Sequence, residues 1–498
     1  MHSLIKAKIF KNNNFIIDLF SSFSSLIVNN LLSIFSIGIA IKYFSKEEFG
    51  LWNLITGVVV YLSLSNLGLN SVSYSFVIKQ STITEKIRML YIIFIISALS
   101  SLFFLTAYLI LDYNFDFVSV LGKIPGNLML QATIGLKYTI LFFFATSFFS
   151  IIGFSQFGLF HIDKIFELFQ GVISFIILLY IVNKKYSIAE FCLFTGIGRF
   201  SISFIKFVYF YFKYSIKNYN WSTSFSFKKN DVKIIFLASY KYFFASLFSI
   251  FVWNIDSFVI AHYLNLSDVG DYNIHMKLFM VLFLSAQFLI GPKIQSIIQS
   301  FYVNSNTSIK DSILNSIKNI ISIIVLPCLI IVLFGENIFE KILDKGDLFS
   351  PNILILVTVL SITSIPVYFI YSLINGLGIM KYAPFVILFE GIINFIFSIL
   401  LVNKFGFESI ICIKIILSLI VYFLYVFILR TESNSKILIK PTQYLKFIFS
   451  KYTLFLILAI FLKLFIHSTY PFYVFASIIV IVYSYLILAV LKKYITNV

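Results

Sequence analysis

Residues 43–53 read Tyr43-Phe44-Ser45-Lys46-Glu47-Glu48-Phe49-Gly50-Leu51-Trp52-Asn53, and residues 263–273 read Tyr263-Leu264-Asn265-Leu266-Ser267-Asp268-Val269-Gly270-Asp271-Tyr272-Asn273. At an offset of 263 − 43 = 220, Tyr43 meets Tyr263, Glu48 meets Asp268, Gly50 meets Gly270, Trp52 meets Tyr272 and Asn53 meets Asn273. Each copy lies between two long apolar segments. A repeat at that point in a chain of membrane spans predicts two related helical bundles, an arrangement that commonly builds a transport pathway where the repeats meet.

The segments around the repeat are of one kind. Of 498 residues, 60% are hydrophobic and 12% charged, and the mean hydropathy is +0.98, far from the balance of a soluble globular chain. This composition reads as an integral membrane protein. The formal charge of +17 comes without any basic segment interleaved with aromatics, so nucleic acid is not an expected partner. Lys and Arg instead belong to cytoplasmic loops. Cys192, Cys328 and Cys412 stand singly in apolar stretches, with no spacing for a disulfide framework or a metal site. No motif calls for a cofactor.

A helix needs about 20 mainly apolar residues to cross the hydrocarbon core, and on that criterion the chain contains about fourteen spans. They are expected near 15–41, 51–77, 89–111, 136–157, 166–182, 188–212, 234–261, 272–292, 313–334, 353–376, 383–402, 408–429, 446–466 and 471–491. The expected fold is all-α and polytopic: an amino-terminal six-helix bundle over 1–220, a pseudo-symmetric second over 221–432, and two further helices over 433–498. Alternate loops collect Lys6, Lys8, Lys11, Lys86, Arg88, Lys213, Lys310 and Arg430 on one side, opposite Glu336, Glu340, Asp344 and Asp347. A cation excess of roughly two and a half to one places both termini in the cytoplasm. Pro327 and Pro366 fall inside spans and are expected to kink them.

Polar residues inside the spans carry the chemistry. Asp18, Ser22, Ser25, Asn29, Ser33 and Ser36 recur at intervals of three and four, on one helix face. Ser63, Asn66, Asn70 and Ser73 form a second stripe, and Ser239, Ser246, Ser249, Trp253 and Asp256 a third. The offset of 220 superposes Asn29 on Ser249 and Ser36 on Asp256. Small polar residues also let helices pack closely, so any one stripe has a structural reading too. Ionisable groups deep in a span are more expensive and point to function. Arg199, Glu390 and Lys414 are the deepest, and Arg199 shares a face with Lys206 about 10 Å along the axis. Lys137, Lys241, Lys277 and Lys463 lie nearer span ends, where a long side chain can snorkel.

No Gly-rich loop ending in Gly-Lys-Ser or Gly-Lys-Thr is present, so the chain carries no P-loop of its own. Glu47-Glu48 could serve a membrane glycosyltransferase or polymerase, but Ser267 and Asp268 stand at the equivalent place and no external domain exists to hold an acceptor. An enzyme is not expected.

Glu48-Phe49-Gly50-Leu51-Trp52-Asn53-Leu54 followed by Tyr61-Leu62-Ser63-Leu64-Ser65-Asn66-Leu67-Gly68-Leu69 resembles the amino-terminal signature of bacterial polysaccharide exporters. These are the O-antigen and capsule repeat-unit flippases of the multidrug/oligosaccharidyl-lipid/polysaccharide exporter superfamily. Asn254-Ile255-Asp256-Ser257-Phe258-Val259-Ile260 and Val269-Gly270-Asp271-Tyr272-Asn273 are similar to the segment opening that family's second bundle. Asn66 departs from the acid the family often has there, so no charge role passes to it. The resemblance implies a flippase in the bacterial inner membrane, moving an undecaprenyl-diphosphate-linked oligosaccharide to the outer leaflet by alternating access. It also implies membrane lipids and the polysaccharide polymerase and chain-length machinery as partners. The superfamily's cation-coupled multidrug antiporters are the alternative. On this reading Asn29, Ser36, Asn66, Asn70 and Ser249 line a sugar cavity, and Arg199, Lys206 and Lys414 meet the diphosphate. Asp18, Asp256 or Glu390 couples ion binding to movement.

Overall fold

The computed structural model describes residues 35–78, 82–114, 117–157, 159–215, 229–302, 309–343, 350–377, 379, 381–432, 451–465, 476–484 and 486–487, with scattered positions between 21 and 33. The described residues contain helices and no strand. Ten helical stretches are long and apolar enough to cross a membrane, and Leu31–Tyr43 and Thr453–Leu464 are shorter apolar helices. The protein is therefore a multi-pass membrane protein. The expected spans near 234–261 and 471–491 also contain helix but fall outside those ten.

Two compact units divide the chain. The first is Met1–Ile250 with Asn265–Gly270, and the second is Phe251–Leu264 with Asp271–Val498. Six residues of the second echo, Asn265–Gly270, cluster with the first unit.

The first unit contains α1 (Leu31–Tyr43), α2 (Lys46–Leu62), α3 (Leu69–Ile78), α4 (Ile83–Asn114), α5 (Gly126–Ser150), α6 (Phe160–Lys184), α7 (Ile188–Phe210) and most of α8 (Lys229–Trp253). Its helix starts are written in the sequence. Ser45 Oγ accepts from the Glu48 amide at 3.1 Å while Glu48 Oε2 accepts from the Ser45 amide at 2.8 Å, a reciprocal cap that satisfies two orphan donors. At the start of α7 the Ser187 amide and hydroxyl both donate to Glu190 Oε2, at 2.6 and 2.9 Å. α5 and α7 make the closest pair of the unit, because Gly196 leaves the space that the Phe142 ring fills.

The span expected over 51–77 is not one helix. It stops in a tight turn at Ser63–Asn66, passes through Leu67 (φ 50°) and Gly68 (φ 74°), and resumes as α3. Unpaired backbone groups are costly in a bilayer, so such a break persists only where side chains satisfy them. Ser100 of α4 does so, its Oγ donating to the Ser65 carbonyl, while Ser97 Oγ donates to the Asn66 side-chain oxygen Oδ1.

The second unit contains α9 (Ile255–Tyr263), the larger part of α10 (Leu266–Tyr302), α11 (Ile309–Leu343), α12 (Pro351–Gly376), α13 (Ala383–Phe405), α14 (Glu408–Glu432) and α15 (Lys451–Phe465). Here too an expected continuous span, 234–261, is interrupted: α8 ends at Trp253 and α9 begins at Ile255. α11 and α12 run through Pro327 and Pro366 without ending. α12 and α14 pack together around Phe369 and Tyr422, both fully buried. The described residues beyond 450 join this core: Tyr483 donates to the Ser322 carbonyl at 2.5 Å, and Lys463 pairs with Glu336 at 2.5 Å.

Candidate functional site

Two polar sites stand out, one in each unit. The first is a cavity of about 520 Å³ walled by the residues before and within α1 and by α2, α5, α6 and α7. Asn29, Ser33 and Ser36 line it from α1 and the residues before it. α2 adds Trp52 and Thr56, α5 adds Thr139 and Thr146, and α6 adds Glu167, Gln170 and Ser174. α7 contributes Thr195 and Arg199. Arg199 is exposed and is one of the residues that line this cavity. Among the described residues no carboxylate is ion-paired with it, and Glu167 is held by Lys164 at 2.6 Å. A guanidinium with open donors amid hydroxyls and amides suits an anion joined to polar groups.

Gly171 lets the first-stripe helix approach α6. A Cβ there would lie 1.9 Å from Asn29 Oδ1, so the Asn29 amide occupies the space a side chain would take. Asn29 Nδ2 donates to Ser25 Oγ at 3.3 Å, which fixes the amide against the cavity wall.

The second site is a closed ionic cluster in the second unit. Asp256, fully buried, lies in the first turn of α9, where the interrupted span restarts. Its Oδ2 is 2.9 Å from Lys414 Nζ of α14 and accepts from the Tyr272 hydroxyl of α10 at 2.6 Å. Its Oδ1 accepts from Asn394 Nδ2 of α13 at 2.8 Å. Lys414 Nζ also donates to the Val252 carbonyl in the last turn of α8, and lies 5.1 Å from the centre of the Trp253 ring. Glu390, partly exposed and one turn before Asn394, is close enough to Lys414 for their charges to interact.

Several residues expected in a binding role have other partners. Lys206 shares α7 with Arg199 but is drawn to Asp163 at 2.8 Å, and Asp163 in turn accepts from the Phe154 and Ser155 amides. That lysine holds the α5–α6 connection. Asn66 is buried at the α2–α3 break, and Asn70 is exposed at the start of α3; neither lines the cavity. Ser249 is half-buried and outside the cavity wall. Lys414 is enclosed by its carboxylate and carbonyl rather than open to a ligand. Asp18 and Ser22, like Lys6, Lys8, Lys11, Asp344, Asp347 and the side chain of Lys241, lie outside the described residues.

Sequence reasoning missed Gln170 and Ser174, which are four apart on α6, and Thr195, four before Arg199 on α7. It also missed Asn394. A helical-spacing scan of those spans, such as the one applied to the first, contains the signal: Glu390, Asn394 and Ser398 are again four apart.

No protein-family model and no curated protein matches the chain. Solved structures do. The lipid II flippase MurJ in an inward closed conformation is similar over 97% of this chain and 100% of its own, with TM-score 0.68 and 14% identity. An inward-facing multidrug resistance MATE transporter of the MOP superfamily is similar over 84% of this chain and 98% of its own, with TM-score 0.67 and 12% identity. A MOP superfamily transporter from Pyrococcus furiosus is similar over 85% and 96%, with TM-score 0.60 and 11% identity. The two units, the helix order and these likenesses together give the chain the fold of the transporters of the MOP superfamily.

Proposed function

We propose that the chain is a flippase for an undecaprenyl-diphosphate-linked oligosaccharide, carrying it from the inner to the outer leaflet of the bacterial plasma membrane by alternating access. The observation that supports this reading is Arg199, lining a cavity between membrane-spanning helices whose other polar residues are hydroxyls and amides together with Glu167, which Lys164 pairs. The guanidinium supplies forked donors for a diphosphate, and Asn29, Ser36, Thr56 and Gln170 supply donors and acceptors for sugar hydroxyls. Flipping of lipid II is what the name of the similar protein MurJ describes, and a flippase role is in line with it.

The alternative is a cation-coupled multidrug antiporter, in line with the multidrug transporters of the same fold. Glu167 at the cavity is the feature that favours a cationic drug, but Lys164 neutralises it. Flux measured in proteoliposomes separates the two. Fluorescently labelled lipid-linked oligosaccharide is expected to cross, Arg199→Ala to slow it at least about tenfold, and Arg199→Lys to restore part of the rate. Unchanged flux in Arg199→Ala at equal protein level would remove the diphosphate role. Export of a cationic dye without lipid-linked sugar flux would establish the antiporter.

A further inference from the structure

The Asp256 cluster has the composition of a cation site. A carboxylate, a backbone carbonyl at the end of a broken membrane helix and an aromatic face surround one positive charge. In transporters, carbonyls at such helix breaks coordinate coupling cations. Here the positive charge is the ammonium of Lys414, on a helix remote in sequence from both halves of the break. Two buried side-chain oxygens of α13 are spare. Asn394 Oδ1 and Ser398 Oγ are buried and accept no hydrogen bond among the described residues, on side chains exposed by 1% and 0%. One of them belongs to the same amide that donates to Asp256.

We propose that Lys414 is a tethered cation: its ammonium fills a monovalent-cation site made by Asp256, the Val252 carbonyl and the Trp253 ring, so the second unit is held together without an inorganic ion. An ordinary structural ion pair needs only the carboxylate, and its lysine could be replaced along with its partner. A tethered cation makes a different demand, because the carbonyl and the indole face also need a positive charge of small radius after the lysine is cut back. Truncating the side chain leaves a vacancy with room for an ammonium or alkylammonium ion, whose hydrogen-bonding pattern matches that of the group removed.

The test follows the thermal unfolding of the purified full-length protein in detergent, in chloride salts of choline, sodium, potassium, ammonium and ethylammonium. The readout is stability, so the result does not depend on which substrate is carried. The wild type is expected to melt at one temperature in all five salts at equal ionic strength. Lys414→Ala is expected to melt several degrees lower in choline and to recover in a saturable way with ethylammonium or ammonium, and the added Asp256→Asn substitution is expected to abolish that recovery. Equal melting of Lys414→Ala in choline and ethylammonium would overturn the proposal. So would a Lys414→Ala protein that stays unfolded in every salt, or a wild type stabilised saturably by sodium or potassium.

Discussion

Single residues in this protein are governed by the expense of charge in a dry interior. Asp256 is fully buried and all its contacts are favourable: one ammonium, one phenol and one amide. Removing one partner of a buried pair strands the other, at a typical expense of about 3–5 kcal/mol, whereas neutralising both together is often harmless. Asp256→Ala is therefore expected to lower the unfolding midpoint by several degrees, and the double replacement Asp256→Asn/Lys414→Met to recover only part of that loss, because the Val252 carbonyl and the Trp253 ring still lack their cation, as a denaturation series in detergent can measure. Arg199 follows the opposite logic. It has no carboxylate partner among the described residues and lines the cavity, so its replacement is expected to affect flux and leave stability nearly unchanged. The sequence showed Arg199 to be deep and Asp256 to belong to a polar stripe near a span end, but not this contrast. Depth is readable from span limits, while pairing depends on helices α9 and α14 being neighbours of α13.

Elements are defined by their ends, and the repeat explains two of them. Ser45 and Asn265 occupy the same place in the two copies, and both cap: Glu48 N donates to Ser45 Oγ, and Asp268 N donates to Asn265 Oδ1 at 2.9 Å. The paired glycines then let the two copies touch. A Cβ at Gly50 would fall 2.0 Å from the Leu266 carbonyl oxygen, and one at Gly270 would fall 2.7 Å from the Lys46 carbonyl oxygen. Both obstacles are backbone, which cannot swing aside as a side chain can. Gly50→Ala is therefore expected to separate α2 from residues 265–270 and lower the melting temperature by several degrees. Gly126→Ala, where nothing lies within 4 Å, is expected to leave it unchanged. Cysteine pairs at Glu47 and Ser267 offer a second measurement: crosslinking is expected in the parent and reduced in Gly50→Ala.

For the whole molecule, charge distribution predicts a sidedness that labelling can check. Thr84, at the exposed start of α4, belongs to the cation-rich side, and Lys123, exposed before α5, belongs to the other. A membrane-impermeant maleimide added to intact cells is expected to label Lys123→Cys and spare Thr84→Cys; the reverse pattern would invert the proposed orientation and its cytoplasmic termini. Composition, apolar run length and the repeat at 220 residues determined the fold class and the approximate places of the spans. They did so because lipid exposure and helix ends impose local rules that a one-dimensional pattern obeys. The polar stripe through Asn29 and Ser36 was legible for the same reason. Only the tertiary structure decided that two expected spans break, that Lys206 serves Asp163 while Arg199 stays open, and that Lys414 closes on Asp256. Those outcomes depend on which distant helix supplies the hydrogen-bond or charge partner, since an isolated span cannot satisfy a broken turn or an ion in hydrocarbon without one.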